Sequence, residues 1–246
     1  MTRYANERAL VTGGRRGLGF AFARSLAREG ADVRITTRDV HAGRAAIEAI
    51  GGGSEFGVLG WDMGDPSSTA ALDALVRTDP PAFVVHAAHD FPDHVAVVGL
   101  RPDDVAAAIA AHVAPSLTIL RTAARAMMRE RRGTIVVLSS LAAELAPKGQ
   151  AVYVAQKLAL DGLISVLAHE LEGRGVRFVL VRPGIVDTEN VRSRVSEEVR
   201  AAYAARSRLG RLLTPDEVVD ATFASLDADA TTPLRVVRVG EFEETR

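Results

Sequence analysis

Short apolar runs alternate with amphipathic stretches along the whole chain. The apolar runs are ALVT (9–12), VRITT (33–37), SEFGVLG (54–60), AFVVHAA (82–88), GTIVVLS (133–139), VRFVLV (176–181) and LRVVRV (234–239). Each is short and rich in β-branched residues, so each reads as a strand. Helical patterns fill the gaps over 17–29, 41–50, 66–77, 102–130, 150–173, 190–206 and 215–227. The strands are nearly continuous in apolar residues instead of alternating, which is the pattern of a parallel sheet covered on both faces. Repeated β/α alternation predicts an α/β protein: a single doubly wound domain over 1–246 with a seven-stranded, mostly parallel sheet flanked by helices. Pro66 after Asp65, Pro102 before Asp103 and Asp104, and Pro215 after Thr214 mark helix starts. The three glycines at 51–53 predict a tight helix-to-strand turn.

Composition narrows the classes. The chain has 246 residues and a net charge of −1, so charge gives no reason to expect nucleic acid or an anionic membrane as partner. It contains no cysteine, which excludes disulfides and thiolate chemistry. The opening MTRYANERALVTGG runs from charged residues straight into a strand and does not read as a signal peptide. No apolar run approaches the roughly 20 residues that span a bilayer. A cytoplasmic location with no membrane partner is the expectation.

The first strand leads into Thr12-Gly13-Gly14-Arg15-Arg16-Gly17-Leu18-Gly19 and then a helix. Gly13 permits a sharp turn, while Gly17 and Gly19 let backbone and helix approach a pyrophosphate. The free N–H groups of the helix start then face the phosphates. A binder of NAD places an acid at the end of the second strand for the ribose 2′-hydroxyl. Here that slot is Thr37, followed by Arg38, and Arg15 and Arg16 lie in the turn. Three guanidiniums suit a 2′-phosphate, so the cofactor expected is NADP(H).

Further along, YVAQK places Tyr153 and Lys157 four residues apart, on one helix face, with Ser140 thirteen residues upstream. An ammonium beside a phenol favours the phenolate and is expected to lower the tyrosine pKa toward working pH. A tyrosine so tuned exchanges a proton with a substrate oxygen. Beside a dinucleotide, that implies hydride transfer coupled to proton transfer.

These segments together resemble the short-chain dehydrogenase/reductase family over nearly the whole chain, and within it the NADP-preferring ketoreductases. TGGRRGLG is similar to that family's TGxxxGxG turn, LSS…Y…K to its catalytic segment and RPGIVDT to its PG-x-x-x-T segment. The resemblance implies a Rossmann-type fold with Tyr153 as general acid/base and Ser140, not Ser139, holding the substrate oxygen. It implies that Lys157 lowers the tyrosine pKa and bonds the nicotinamide ribose. WDMGD implies Asp62 at the adenine amino group with Met63 beside the ring. Leu18 belongs to the turn. Pro183, Gly184 and Val186 would surround the nicotinamide, with Thr188 at its carboxamide.

Two departures stand out. Where the family has Asn-Asn-Ala-Gly, this chain has His86-Ala87-Ala88-His89; the loop of Ala87, Ala88 and His89 should still pass the nicotinamide ribose. In the long helix, His112 occupies the slot of the asparagine that completes the family's catalytic tetrad, with Pro115 three residues on. Two readings stand for His112: it replaces the asparagine in the proton relay behind Lys157, aided by a Pro115 distortion, or it is a packed histidine. His86 and His89, with Asp90 and Asp93 nearby, sit at a strand end and loop and do not have the spacing of a metal site.

Substrate choice is expected from 141–150 and from 189–213, which carries Arg192, Arg194, Arg200, Arg206, Arg208 and Arg211. The reaction expected is NADPH-dependent reduction of a small-molecule ketone, 3-oxoacyl or polyketide-type in specialised metabolism, free or carrier-bound. Oxidation of a secondary alcohol and a non-catalytic NADP(H)-binding sensor or scaffold are the competing readings. The resemblance also implies a homodimer or homotetramer built on helices 102–130 and 150–173.

Overall fold

A computed structural model describes residues 3–5, 7–51, 57–89, 94–228 and 232–240. Its strands are β1 (Arg8–Thr12), β2 (Asp32–Thr37), β3 (Val58–Gly60), β4 (Phe83–His86), β5 (Gly133–Leu138), β6 (Val176–Pro183) and β7 (Leu234–Val239). They form one seven-stranded sheet in the order β3-β2-β1-β4-β5-β6-β7, and every pairing is parallel. The helices are α1 (Gly17–Arg28), α2 (Val40–Ala49), α3 (Pro66–Thr78), α4 (Pro102–Glu130), α5 (Ala142–Leu145), α6 (Ala151–Glu170), α7 (Glu189–Arg194), α8 (Glu197–Arg206) and α9 (Pro215–Ala228).

The central strands are apolar throughout because both faces are covered. Val11, Val85, Val136 and Val181 belong to one core cluster with Phe22, Leu26 and Val218, from α1 and α9. Leu10, Val84, Ile135 and Leu180 belong to the other with Ile119, Leu120 and Ile164, from α4 and α6. Strand order reverses between β1 and β4, which pair through Thr12 and His86. A doubly wound sheet opens its binding crevice at such a switch point, at the carboxyl ends of the strands.

Several boundaries differ from the sequence reading, each for a local reason. The run expected as a strand over 82–88 leaves the ladder after His86, because the N–H groups of Ala87 and Ala88 donate to Thr12 Oγ1 at 3.1 and 3.2 Å. The helix expected over 190–206 is two helices, since Ser196 is extended and caps α8 by accepting from Val199 N. Of the strand expected over 54–60, Val58–Gly60 pairs with β2, while 54–56 lie outside the described residues. Gly51 turns with φ +80°, and Gly52 and Gly53 are likewise outside.

The expectation about apolar runs needs correction. α4 and α6 match membrane-crossing helices in length and hydropathy, with mean values of 1.4 and 1.5. Interspersed alanine hides this in a residue-by-residue reading. Both lie against the sheet through Ile119, Leu120, Met127, Leu160 and Ile164, all essentially buried. α4 runs through Pro115 without a break in its helical span. Proline removes the N–H that would reach the carbonyl four residues back, and next to it Ser116 Oγ donates to the carbonyl of His112 at 2.7 Å.

Candidate active site

The crevice at the switch point is a cleft of about 1340 Å³. At one end is the Gly-rich turn. Gly13 has φ +67°, and a Cβ there would lie 2.8 Å from Ala88 Cα; one on Gly19 would lie 2.4 Å from the Gly13 carbonyl oxygen. At Gly13 and Gly19 the turn is thus backbone packed on backbone, with no room for a single added carbon. Thr12 ties it down, because its hydroxyl accepts from two N–H groups and therefore donates its own proton to His86 Nδ1, 2.9 Å away. That places the ring proton of neutral His86 on Nε2. Gly13→Ala adds a clash to a strained φ. It should weaken dinucleotide binding at least about tenfold by fluorescence titration, with a drop in melting temperature.

Arg15, Arg16 and Arg38 line this end of the cleft, joined by Arg194 from α7. Burial lowers the Arg16 pKa, and the positive charges of Arg15, Arg194 and Arg38 lower it further, against Glu189. Positive charge is thus gathered beside the Gly-rich turn, around Arg16. That charge fits the phosphates of NADP(H). Asp62 and Met63 line the same cleft, as do Leu18, Pro183, Gly184, Val186 and Thr188. The start of α7 stands directly over the turn, since a Cβ on Gly17 would sit 3.5 Å from Thr188 Cγ2.

At the other end, Ser140, Tyr153 and Lys157 come together. The side chain of Ser140 lines the cleft with Tyr153 and acts to lower the Tyr153 pKa. Ser140 Oγ also accepts from Ala142 N at 3.1 Å, whereas Ser139 Oγ is buried with no partner among the described residues. Lys157 is buried, and its Nζ donates to the Leu138 carbonyl at 2.8 Å while lying 5.6 Å from the Tyr153 ring centroid. The expected electrostatics are therefore corrected. Burial raises the Tyr153 pKa, and the Ser140 side chain only partly opposes it. Burial also takes Lys157 down to about 7, against the charge of Asp161. In the protein alone the phenol stays protonated, because low dielectric penalises the phenolate and a half-titrated ammonium is a weak counterion.

The histidines that depart from the family pattern are neighbours in space. The His89 ring stands edge-on to Tyr153, with centroids 4.9 Å apart, and 4.1 Å from His112, which in turn lies 6.4 Å from His86. Ala87, Ala88 and His89 line the cleft, but His112 sits behind it, buried. His112 Nε2 has no hydrogen-bond partner among the described residues. Burial, then the Lys157 charge, takes its pKa to about 3. The unfolded chain thus binds the His112 proton from about pH 6.5 and the folded chain only near 3. Stability falls as pH drops through that window. His112→Asn should flatten the fall, with a gain of up to about 3 kcal/mol at pH 4 and none at pH 7 from this cause, read by denaturant unfolding.

The substrate segments also meet here. Leu141, Leu145, Pro147, Val191, Val195, Val199 and Tyr203 line the same cleft as Tyr153. Four arginines of the second segment can be placed. Arg192 pairs with Asp187 and Arg211 with Glu217, whereas Arg194 and Arg206 line the cleft. Sequence reasoning did not assign Thr12 a role or separate Arg194 from the other arginines. The first lay unread within the turn motif, and the second depends on the tertiary placement of α7.

The fold and this arrangement define a dinucleotide-linked oxidoreductase class, and the chain belongs to the short-chain dehydrogenase/reductase family. The family profile described as Enoyl-(Acyl carrier protein) reductase matches residues 13–232. The 3-oxoacyl-[acyl-carrier-protein] reductase FabG of Escherichia coli (strain K12) is 29% identical over 215 residues, covering 87% of this chain and 86% of that protein. The protein of the same description from Vibrio harveyi is 30% identical, with the same coverage. A solved short chain dehydrogenase/reductase family protein superposes with TM-score 0.85 at 30% identity, covering 97% of each chain. A candidate NAD(P)-dependent gluconate 5-dehydrogenase from Beutenbergia cavernae, solved with NADP at low occupancy, gives 0.82 at 27% identity, covering 95% of each chain.

Proposed function

We propose that the protein reduces a ketone to a secondary alcohol with NADPH. The observation that carries this is the gathering of Ser140, Tyr153 and buried Lys157 in one cleft with a Gly-rich turn and the arginines Arg15, Arg16 and Arg38. When bound, the dihydronicotinamide supplies a hydride to the carbonyl carbon. Ser140 holds the carbonyl oxygen, and Tyr153 gives its phenolic proton to that oxygen as negative charge develops there. Lys157 stands behind Tyr153 to favour the phenolate that remains. Arg15, Arg16 and Arg38 would hold the 2′-phosphate, Asp62 and Met63 the adenine, and Pro183, Gly184, Val186 and Thr188 the nicotinamide. A phenol held protonated by burial is in the donor form that reduction needs.

The substrate is read as a 3-oxoacyl or polyketide-type carbonyl. The apolar wall of Leu145, Pro147, Val195 and Val199 suits its body, and Lys148 and Arg206 on the same cleft suit an anionic carrier arm. The matched family profile is described as an enoyl acyl-carrier-protein reductase and the FabG relatives as 3-oxoacyl acyl-carrier-protein reductases. Leu158 and Val166 of α6 are exposed apolar residues and support pairing with a second copy. The working location is read as cytoplasmic. Stopped-flow NADPH oxidation with 3-oxoacyl thioesters, their 2-enoyl counterparts and free diketones tests the reaction. Turnover on the 3-oxo compounds alone is the expected result. Tight NADPH binding without turnover on any carbonyl would favour a sensor.

A further inference from the structure

Behind the cleft lie four charged side chains to which the reaction above gives no part. Asp161 is one helical turn beyond Lys157 on α6 and is buried. Its Oδ2 accepts from Arg182 Nε at 3.1 Å and Nη2 at 2.8 Å. Arg182, next to Pro183 on β6, also donates from Nη1 to Glu144 Oε1 at 2.6 Å. Glu144 of α5 in turn accepts from Arg238 Nε of β7, at 2.9 Å to Oε1 and 3.0 Å to Oε2. The chain of contacts links the helix of Tyr153 and Lys157, the strand leading to Gly184 and the short helix after Ser140.

One atom in this group is left over. Asp161 Oδ1 is buried with no hydrogen-bond partner among the described residues. A carboxylate kept only to hold two elements together would be a poor choice, since well-packed apolar residues often replace a buried ion pair without loss of stability. Residues four apart on a helix share a face, so the half-satisfied carboxylate belongs to the surroundings of Lys157.

We propose that Asp161 is a positioning residue that keeps Lys157 an ammonium, with Arg182 and Glu144 fixing the carboxylate for that task. This rests on the reading of Lys157 as the partner of Tyr153. Burial drives Lys157 toward its neutral form, and Asp161 is the charge that opposes it. The groups on the elements around Lys157 do not. His86 of β4 and His112 of α4 are held neutral at working pH, and Tyr153 is held as the phenol. Leu138 of β5 offers only a carbonyl. Arg182 of β6 is positive, and Glu144 of α5 and Arg238 of β7 answer each other and Arg182.

The chain has two lysines, Lys148 and Lys157, so selective 13C-lysine labelling gives two side-chain signals to titrate by NMR. In Asp161→Asn the Lys157 midpoint should fall by about one unit, with Lys148 unmoved. The alkaline limb of kcat/KM for ketone reduction should move down with it. Removing one partner of a buried pair threatens folding. Asp161→Leu with Arg182→Met, which restores apolar packing, must therefore show the same fall. A folded variant whose Lys157 midpoint stays in place overturns the proposal. Lys157→Met with wild-type turnover would instead overturn the reading of Lys157 in the site, while the Lys157 titration would still report on Asp161.

Discussion

Tyr153→Phe should abolish ketone reduction, lowering kcat by about 10³-fold, within the range that one positioned proton donor supplies. The substitution removes one oxygen and keeps the ring that stands edge-on to His89. NADPH should therefore still bind, within about fivefold of wild type by fluorescence titration, and the protein should stay folded. Ser140→Ala removes the hydroxyl that would hold the substrate oxygen and should cost about 10²-fold in kcat. Because burial raises the Tyr153 pKa, the donor form persists across neutral pH. Substantial turnover in Tyr153→Phe would mean that another group protonates the substrate. His89, in contact with the same ring, would be the first to examine.

The second large effect concerns the cofactor. Replacing Arg15 and Arg38 together by serine should raise the Kd for NADPH by about 100-fold and leave that for NADH within a few fold, since each charge-assisted contact to a phosphate is worth about tenfold or more. Arg16→Ala should behave differently. Arg16 is the desolvated member of the cluster and adjoins the helix start, so both dinucleotides should weaken. An equal loss of NADPH and NADH in the Arg15/Arg38 variant would place those arginines away from the 2′-phosphate.

Much of this was legible in the chain because the relevant signals are local. Parallel pairing follows from β/α alternation, and the turn residues carry their own conformational demands. Every residue assigned to the dinucleotide lines one cleft. The charge state of Tyr153 was not legible. Its spacing to Lys157 suggested a lowered pKa, but burial is a tertiary quantity and acts oppositely on the two groups. The histidines illustrate the same limit. His86, His89 and His112 could be seen to depart from the family pattern, yet only the packing of α4 on β4 makes them neighbours and puts His112 behind the cleft wall. The break at Ser196 was written in the sequence as a cap, Ser196 before Glu197 and Glu198, but was masked by good helix formers on either side.

The two ends of the cleft are made of different material. At Gly13 and Gly19 the phosphate end is backbone against backbone, where an added methyl group has nowhere to go. The substrate end is side chains on short helices outside the sheet, and α7 and α8 contain no fully buried residue. Inherited variation should therefore accumulate unevenly in descendants of this chain. New substrates can be acquired by changing α7 and α8 at little risk to folding, while the nucleotide floor is carried forward nearly unaltered. A library randomised at Val191, Val195, Val199 and Tyr203 is consequently a search through catalytic repertoires more than through folds.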